Sequence, residues 1–438
     1  MQTYAKTKDS GIEWVGPIPP HWSVKPLFAL FRERQMPNYG NKETNVLSLS
    51  YGKIIRRDVE SNFGLLPESF ETYNIIEPEN IVLRLTDLQN DKRSLRCGFV
   101  RERGIITAAY LTLERHTKEE VNPEYVYYLL HGFDLRKVFY RLGGGVRQSG
   151  KFEDLKRLPL LLPPKTDQDA IVRYLKEKTL AIDALIRNKE RQLTLIEEER
   201  VSLVNRSVVR GTVPNVELKD SGFKWLGLIP KHWDTRKLKL LADVRFSSVN
   251  KKIEEGESPV KLCNYVDVYY NRTINSSVDF MEATASRDEI KRFQLKVGDV
   301  LITKDSEEWT DIGIPSYVSI EAGNLLCGYH LAMLRPKREI SGKFLFWLFY
   351  SEHINYQLRR EALGVTRYGL STYAFNNAII PIPPLREQDE ISGMLEKEFR
   401  KTDSLLETVR QTINYLKDYR NSLILECVTG KVDVGGCQ

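Results

Sequence analysis

Cysteine is scarce in this sequence, and its spacing indicates no cysteine-based site. The cysteines are Cys97, Cys263, Cys327, Cys427 and Cys437; their number is odd and no two form a CxxC pair. Structural zinc sites and disulfide frameworks depend on closely spaced or paired cysteines. The sequence therefore predicts neither, and we expect this chain to hold no metal.

Long hydrophobic runs are also missing. No stretch of about eighteen apolar residues, the length that spans a bilayer, occurs anywhere. The first residues, MQTYAKTKDSG, lack the apolar core of a signal peptide. These absences predict no membrane association and a cytoplasmic location.

Catalytic motifs are not found either. Gly430-Lys431 lacks the upstream glycine of a P-loop. The sequence contains no G-x-S-x-G, no H-E-x-x-H, no dinucleotide-type glycine fingerprint and no Asn/Asp-Pro-Pro-aromatic tetrapeptide of methyltransferases. We predict that the chain reads or bridges other molecules and is not itself an enzyme.

Size and charge set wide limits. A chain of 438 residues is too long for one ordinary core and predicts two or three domains. The net charge of +6 permits a nucleic-acid partner without arguing strongly for one.

One string occurs twice. DSGIEWVGPIPPHW (9–22) and DSGFKWLGLIPKHW (220–233), here called the DSG strings, agree at nine of fourteen positions. A binding element should differ between two unlike binding regions, so the repetition indicates a structural role. We assign that role to Trp14, Pro19, His21 and Trp22 and to Trp225, Pro230, His232 and Trp233. The first string should pack near Gly430, as the second follows Gly211.

A second repeat predicts two long helices. Pro163, Pro164, Gln168 and Asp169 reappear 220 residues later, and the match continues through Asp183/Asp403 and Arg200/Arg420. Apolar residues then recur at spacings of three and four, which predicts an imperfect heptad seam. The seam residues are Ile171, Leu175, Ile182, Leu185, Ile196 and Leu203, and Ile391, Leu395, Leu405, Val409, Leu416 and Leu423. Each helix should run about 40 residues to Gly211 or Gly430, and the two should pair.

The regions between the repeats, 23–150 and 234–370, differ from each other. Both mix short β-type runs, such as NIVLRL (80–85) and GDVLITK (298–304), with one aromatic helical run, YVYYLLHGF (125–133) or FLFWLFYSE (344–352). Diverged regions on a repeated frame indicate two different binding regions on a symmetric scaffold.

Basic and amide side chains in predicted loops are candidates for nucleic-acid contacts, because they can form hydrogen bonds with phosphates and base edges. The candidates are Lys53, Arg56, Arg57, Thr86, Gln89, Asn90, Lys92, Arg93, Arg96, Arg147, Gln148, Lys151, Lys304, Tyr329, His330, Arg367 and Tyr368. The alternatives are a solvated polar loop for 86–94, and a helix C-cap with a turn for the glycine-arginine segments 143–151 and 364–372.

The doubled DSG string, the PPxxxQ-led helices and the endings VVRGTV (208–213) and CVTGKV (427–432) resemble the S, or specificity, subunits of type I restriction-modification systems. The resemblance covers essentially the whole chain. It implies an α+β fold in which two target recognition domains are separated by two long antiparallel helices, a coiled coil with an internal pseudo-twofold repeat.

The resemblance also implies boundaries and partners. Residues 1–158 would be the first target recognition domain, 159–212 the first spacer helix, 213–378 the second domain, and 379–438 the second spacer helix and tail. The partners would be double-stranded DNA with a bipartite site, two modification subunits, and restriction subunits. S-adenosylmethionine, ATP and Mg would be held by those partners, with no cofactor in this chain.

Two other classes of protein remain open at this point. One is a coiled-coil adaptor that bridges proteins without touching DNA. The other is a stand-alone nuclease or methyltransferase, which the missing motifs disfavour.

Overall fold

The chain divides into two structural units. The structure is a computed structural model that describes residues 3–58, 69–88, 95–116, 121–141, 149–364 and 366–435. Unit 1 comprises Met1–Glu190 with Arg410–Gln438, and unit 2 comprises Arg191–Val409. Helices and sheets occur in both units, which confirms the α+β class.

Unit 1 is built from short antiparallel strands. Its strands are β1 (Lys8–Asp9), β2 (Pro17–Ile18), β3 (Ser23–Pro26), β4 (Phe31–Glu33), β5 (Leu47–Ser50), β6 (Lys53–Arg56), β7 (Asn74–Ile76), β8 (Ile81–Leu83), β9 (Cys97–Phe99), β10 (Gly104–Ile106), β11 (Leu111–Arg115) and β12 (Pro159–Leu162). Its helices are α1 (Pro123–Leu135), α2 (Phe152–Leu155) and the first part of α3 (Lys165–Arg210).

Unit 2 contains the rest of α3 and the following elements. Its strands are β13 (Leu218–Asp220), β14 (Leu228–Pro230), β15 (Asp234–Lys237), β16 (Ala242–Phe246), β17 (Ser258–Cys263), β18 (Thr273–Ile274), β19 (Met281–Ala285), β20 (Val300–Thr303), β21 (Asp305–Ser306), β22 (Pro315–Val318), β23 (Leu325–Cys327), β24 (Leu331–Pro336), β25 (Tyr368–Gly369) and β26 (Ile379–Ile382). Its helices are α4 (Leu238–Leu241), α5 (Tyr265–Tyr270), α6 (Arg287–Phe293), α7 (Gly342–Tyr350), α8 (Glu352–Arg360), α9 (Thr372–Asn377) and α10 (Leu385–Val428), whose last turns belong to unit 1.

The two units share a sheet order despite their different sequences. In unit 1 the main sheet runs β4-β11-β8-β9, and in unit 2 it runs β16-β24-β20-β22, all antiparallel, with β18 added in parallel at the edge. The runs NIVLRL and GDVLITK supply β8 and β20, the inner strands, and both are fully buried. The sequence comparison of the two regions missed this likeness because it lies in strand order and not in residue identity.

The predicted aromatic runs form helices that lie against these sheets. Asn122 begins α1 by accepting hydrogen bonds from the backbone N–H groups of Glu124 and Tyr125, and Ser341 begins α7 in the same way. In unit 2, Phe344, Trp347 and Phe349 join the main hydrophobic cluster with residues of β20, β24 and α10. Such aromatic side chains bury large apolar areas, so these helices anchor each sheet to its long helix.

The two long helices are confirmed and are slightly longer than expected. They contain 46 and 44 residues and begin directly after the Pro-Pro pairs. Gly211 and Gly430 follow the helix ends with φ of 73° and 68°. Glycine adopts this left-handed conformation without a steric penalty, which is why it ends helices.

The predicted seam is correct at its ends and wrong in the middle. Ten of the twelve residues are buried or half-buried, but Leu185 and Leu405 are exposed, and the next residues, Ile186 and Leu406, are buried instead. At 3.6 residues per turn, Ile186 lies about 40° from Ile182 around the helix, whereas Leu185 lies about 60° away. Ile186, four residues after the buried Ile182, therefore lies closer to the buried face of the helix than Leu185 does.

Within each unit the long helices run antiparallel and are joined by a half-buried ion pair. In unit 1, Arg420 donates to Asp183 at 2.6 Å. In unit 2, Arg200 donates to Asp403, also at 2.6 Å. These four residues are the two pairs related by the 220-residue repeat, so each arginine contacts the aspartate of the other helix.

Candidate nucleic-acid interface

Both DSG strings fold in the same way. The Asp9 and Asp220 carboxylates accept the backbone N–H groups of Gly11 and Gly222 at 3.1 and 2.9 Å. The strings then form the hairpins β1-β2 and β13-β14. Matching local sequence therefore gives matching local structure.

Both histidines of the strings, together with Trp233, contact the first turns of the long helices. His21 contacts Asp167 at 2.9 Å and His232 contacts Glu387 at 2.7 Å, each on the first turn of a long helix. The buried Trp233 also donates to Glu387. These contacts assign the histidines to structure.

The same strings cover the helix ends. A Cβ on Gly430 would lie 2.4 Å from Pro19 and 3.2 Å from the Trp22 ring, and a Cβ on Gly211 would lie 3.2 Å from the Trp233 ring. The first string thus packs at the end of α10, as expected from the repeat.

Gln168 and Gln388 link the long helices to the aromatic helices. Each is buried and donates through its amide to the carbonyl of the proline five residues earlier. Each also accepts the backbone N–H of an aromatic-helix N-cap, Asn122 or Ser341, at 2.8 Å. The sequence comparison found these glutamines as a repeated pair but not this positioning role.

In unit 2, the loop after β20 meets the segment that follows α8. Residues of β21 pair with β25, and Leu370 donates its backbone N–H to the Lys304 carbonyl at 2.8 Å. This pairing brings together five of the predicted contact residues, here called the unit 2 surface: Lys304, Tyr329, His330, Arg367 and Tyr368.

Asp305, which the sequence reasoning did not select, organises this surface. Its carboxylate accepts from Lys304 at 3.1 Å and from His330 Nδ1 at 2.8 Å. Burial alone would raise the pKa of Asp305, but these two hydrogen bonds outweigh burial and hold the pKa below its usual range. The carboxylate therefore stays charged and keeps both side chains in place.

Arg367 remains available to a ligand. Its Nη2 lies 3.3 Å from His330 Nδ1, but that nitrogen must carry a proton to donate to Asp305 and so cannot accept from arginine. No carboxylate pairs with Arg367 among the residues the structure describes. Arg367 is exposed and lies next to His330, whose ring packs against the exposed Tyr329 ring, and this combination matches the chemistry of phosphate and base recognition.

Tyrosines from α5 extend the unit 2 surface. Tyr265 and Tyr269 stack with ring centroids 5.6 Å apart, and Tyr269 donates to Asp311 at 2.7 Å. That hydrogen bond raises the pKa of Tyr269 to about 12. The run NYVDVYY (264–270) is rich in aromatics, and this was the signal available in the sequence.

Unit 1 has a corresponding arrangement. Gly150 donates its backbone N–H to the Leu85 carbonyl at 2.9 Å, so the segment after α1 again meets the loop after β8. Thr86 is half-buried beside this contact and Lys151 is exposed. The candidates Gln89, Asn90, Lys92, Arg93, Arg147 and Gln148 lie outside the described residues.

Arg96 is a correction to the predicted contact residues. It is fully buried, and its guanidinium donates to the carbonyls of Arg84, Thr86 and Asp87. A buried guanidinium needs such partners, because an unpaired buried charge is costly. Arg96 therefore shapes the loop from within and lacks the exposure that a DNA contact needs.

The basic cluster of the β5-β6 hairpin is exposed but partly engaged. Arg56 donates to Glu102 at 3.0 Å, and Lys53 lies 3.5 Å from Asp183 of α3. Arg57 is half-buried. The hairpin thus places Lys53 towards the long helix and not only towards solvent.

The described residues contain neither a membrane-spanning helix nor a metal-binding cluster. Within those ranges no helix has the length and apolar content to cross a membrane. No group of three or more His, Cys, Asp or Glu side chains with metal-binding geometry occurs in the same part of the chain.

Known proteins resemble this chain along most of its length. A family model described as "Type I restriction modification DNA specificity domain" matches residues 230–415. The chain is 24% identical over 369 residues to the type I restriction enzyme MjaVIII specificity subunit of Methanocaldococcus jannaschii, covering 82% of this chain and 81% of that protein. It is 23% identical over 439 residues to the putative type I restriction enzyme MjaX specificity subunit of the same organism, covering 96% of each.

Solved structures share the fold. A chain from a study of complex assembly and conformational transition of the type I R-M system superposes with a TM-score of 0.69 at 15% identity, covering 95% of this chain and 99% of that chain. The HsdS subunit from Thermoanaerobacter tengcongensis gives 0.50, also at 15% identity, covering 95% and 98%. The repeated strings and the paired helices thus occur in a chain whose residues 230–415 match the model of a type I restriction modification DNA specificity domain, and which is similar along most of its length to proteins named as type I specificity subunits.

Proposed function

We propose that this chain is the DNA-reading subunit of a type I restriction-modification complex. It reads a bipartite, asymmetric site, one half with each unit, and carries two modification subunits and the restriction subunits. Adenine methylation, translocation and cleavage belong to those partners, together with S-adenosylmethionine, ATP and Mg. The complex acts in the cytoplasm.

One observation carries this proposal. In unit 2, backbone pairing of β21 with β25 collects Lys304, Tyr329, His330 and Arg367 at one place. Arginine can form paired hydrogen bonds with guanine, whereas Lys304 and His330 are engaged by Asp305 and help to position the surface. The same pairing of loop and returning segment recurs in unit 1 at Leu85 and Gly150.

The differences between the units favour an asymmetric site. The unit 2 surface carries tyrosines from α5, a helix that precedes β18. Unit 1 presents the β5-β6 hairpin with Arg56 and Lys53 instead. Different side chains on the same strand order should read different bases. On these grounds we retain the proposed domains 1–158 and 213–378, with spacer helices in 159–212 and 379–438.

The modest net charge of +6 supports a shared interface with partners. Non-specific affinity for DNA comes mainly from phosphate neutralisation by lysine and arginine. A chain whose surface arginines are partly paired, as Arg56 is with Glu102, supplies only part of this term. We therefore expect tight DNA binding only in the presence of the modification subunits.

The test is reconstitution with the modification subunits. Methylated adenines are mapped in genomic DNA from cells with and without this chain, and gel-shift assays compare duplexes with and without the mapped site. The proposal predicts methylation at one bipartite sequence and selective binding to it. Methylation that is unchanged without the chain, or binding without sequence preference, would contradict it and favour the coiled-coil adaptor.

A further inference from the structure

Three charged side chains meet on α10 in unit 2. Asp403 accepts from Arg200 of α3 through Oδ1 at 2.6 Å, and from Arg272 through Oδ2. Arg200 is buried and is also held by Thr402 and by the Phe399 carbonyl. Its position on the helix pair is therefore fixed without Arg272.

Arg272 reaches this site from the sheet. It immediately precedes β18, the edge strand, and its carbonyl accepts the backbone N–H of Tyr317 in β22 at 3.0 Å. The tyrosines of α5 end two residues before it. One side chain thus connects the sheet that carries the unit 2 surface to the long helix.

Aromatic packing restricts this contact in addition to the ion pairs. The guanidinium carbons of Arg200 and Arg272 lie 4.7 and 5.0 Å from the centre of the Phe399 ring. Trp347 of α7 packs edge-on against the same ring at 4.7 Å. A planar guanidinium that both pairs with a carboxylate and lies over a ring has few orientations open to it.

Beside this contact the sheet edge and the helix are not in full contact. A cleft of about 620 Å³ lies between them, lined by Tyr270, Thr273 and Asn275 on the sheet side, by Glu396 and Arg400 of α10, and by Lys343 of α7. Close packing fixes the angle between two elements, and an open cleft leaves that angle freer. Arg272 spans this gap.

We propose that Arg272 is a positioning residue that sets the angle between the unit 2 surface and the long helices, and thereby the gap that the chain accepts between the two half-sites. This inference rests on the proposed function. One base pair moves a half-site by about 3.4 Å and rotates it by about 35°. A surface free to tilt should accept gaps that a fixed surface rejects.

Unit 1 offers a natural comparison. There Lys53 approaches Asp183, which also accepts from Arg420, so the arrangement of charges is the same. However, Lys53 is two-thirds exposed and its Nζ lies 3.5 Å from the carboxylate. Lysine also lacks the planar fork of arginine. Unit 1 is therefore held more loosely by this contact. The control is Arg360→Ala, which removes an exposed arginine of unit 2 that pairs with its neighbour Glu361.

The first test needs no DNA. Two exposed residues of unit 2 can carry spin labels: Ser276 on the sheet side and Glu198 on α3. The labels are attached through Ser276→Cys and Glu198→Cys, in a chain that also carries Cys437→Ser to remove one native thiol. Pulsed electron resonance should give a narrow distance distribution in the full-length chain and a broader one in Arg272→Ala. Arg272→Lys, which keeps the charge, should lie between them. An unchanged distribution in Arg272→Ala, with unfolding temperature preserved, overturns the proposal.

The second test uses the reconstituted complex on duplexes whose half-sites are separated by the mapped gap or by one base pair more or fewer. Arg272→Ala should reduce the preference for the mapped gap by about threefold or more, with binding to an isolated unit 2 half-site unchanged. Arg360→Ala should leave the preference unchanged. If the wild-type complex shows no sequence preference, the proposed function is refuted and the positioning role is not. If Arg272→Ala has the same gap preference as the wild type, the positioning role alone is refuted.

Discussion

Two arginines predicted to contact DNA have opposite environments. Arg96 is buried and gives its donors to backbone carbonyls, whereas Arg367 is exposed and has no carboxylate partner among the described residues. Both follow loops rich in polar residues, so local sequence could not separate them. The difference arises from which tertiary neighbours surround each guanidinium, and these come from distant parts of the chain.

Replacing Arg367 should weaken DNA binding. Arg367→Ala removes the exposed guanidinium of the unit 2 surface, and we expect binding of the cognate duplex by the reconstituted complex to fall by about 1–3 kcal/mol, as for other arginine contacts to DNA. Fluorescence anisotropy at fixed salt measures the change. Arg360→Ala, an exposed arginine beside Glu361, is the control; equal losses in both variants would argue against a specific contact.

His131 should make unit 1 sensitive to acid. Burial, with a smaller effect of Arg420, lowers the pKa of His131 to about 4, and its Nδ1 has no hydrogen-bond partner in the described part of the chain. Because the folded-state pKa lies below the unfolded value of about 6.5, the contribution to stability is complete above pH 6.5 and is lost as pH falls towards 4.

Amide hydrogen exchange of α1, measured from pH 7 to pH 4 and corrected for intrinsic exchange, checks this expectation. In the wild type, the free energy of opening derived from the exchange of α1 amides should fall by up to about 3 kcal/mol over that range. His131→Gln, which cannot gain a proton there, should show a smaller fall. Equal falls in the two proteins would mean that other groups account for the acid sensitivity.

At the scale of elements, the repeat predicted more than residue type did. The Pro-Pro pairs, the seam spacing and the two glycines predicted both long helices nearly to their ends. Several of the short strands were predicted, but not their pairing. Strand order depends on contacts between residues far apart in sequence, and neither β propensity nor local alternation contains that information.

Two adjacent leucines of α10 provide an internal test of the seam. Leu406 is 2% exposed and Leu405 is 42% exposed, although the sequence pattern favoured Leu405. Leu406→Ala should lower the free energy of unfolding of unit 2 by about 2–4 kcal/mol, since it leaves a cavity. Leu405→Ala should cost much less. Urea unfolding followed by hydrogen exchange in α10 distinguishes them, and a larger effect at Leu405 would mean that the buried face is assigned wrongly.

At the scale of the whole molecule, the repeat indicates interchangeable readers. If the proposed function holds, replacing residues 23–150 with the corresponding region of a type I specificity subunit should change one half of the methylated sequence and leave the other half and the gap unchanged. Mapping of methylated adenines in cells carrying the hybrid measures this. Changes in both halves would show that reading is not separable at these boundaries.

The contribution of Arg272 could not have been predicted from sequence at any scale. It lies 131 residues from Asp403, and nothing in NRTINSS distinguishes it from other surface arginines. The aspartate, in contrast, was visible as half of a repeated pair. Sequence repetition identifies the repeated strings and the long helices. The side chains that connect a diverged region to those helices are not repeated, so the sequence does not reveal them.

The composition of the two units has a consequence for synthesis. Unit 2 is one continuous segment, whereas unit 1 needs Arg410–Gln438 as well as its first 190 residues. During translation, unit 2 can be complete while unit 1 still waits for the last turns of α10, which Pro19 and Trp22 contact at Gly430. The half that is made first therefore finishes folding last, and Trp22 of its DSG string, which is buried in the folded chain, stays uncovered until the last turns of α10 have been made.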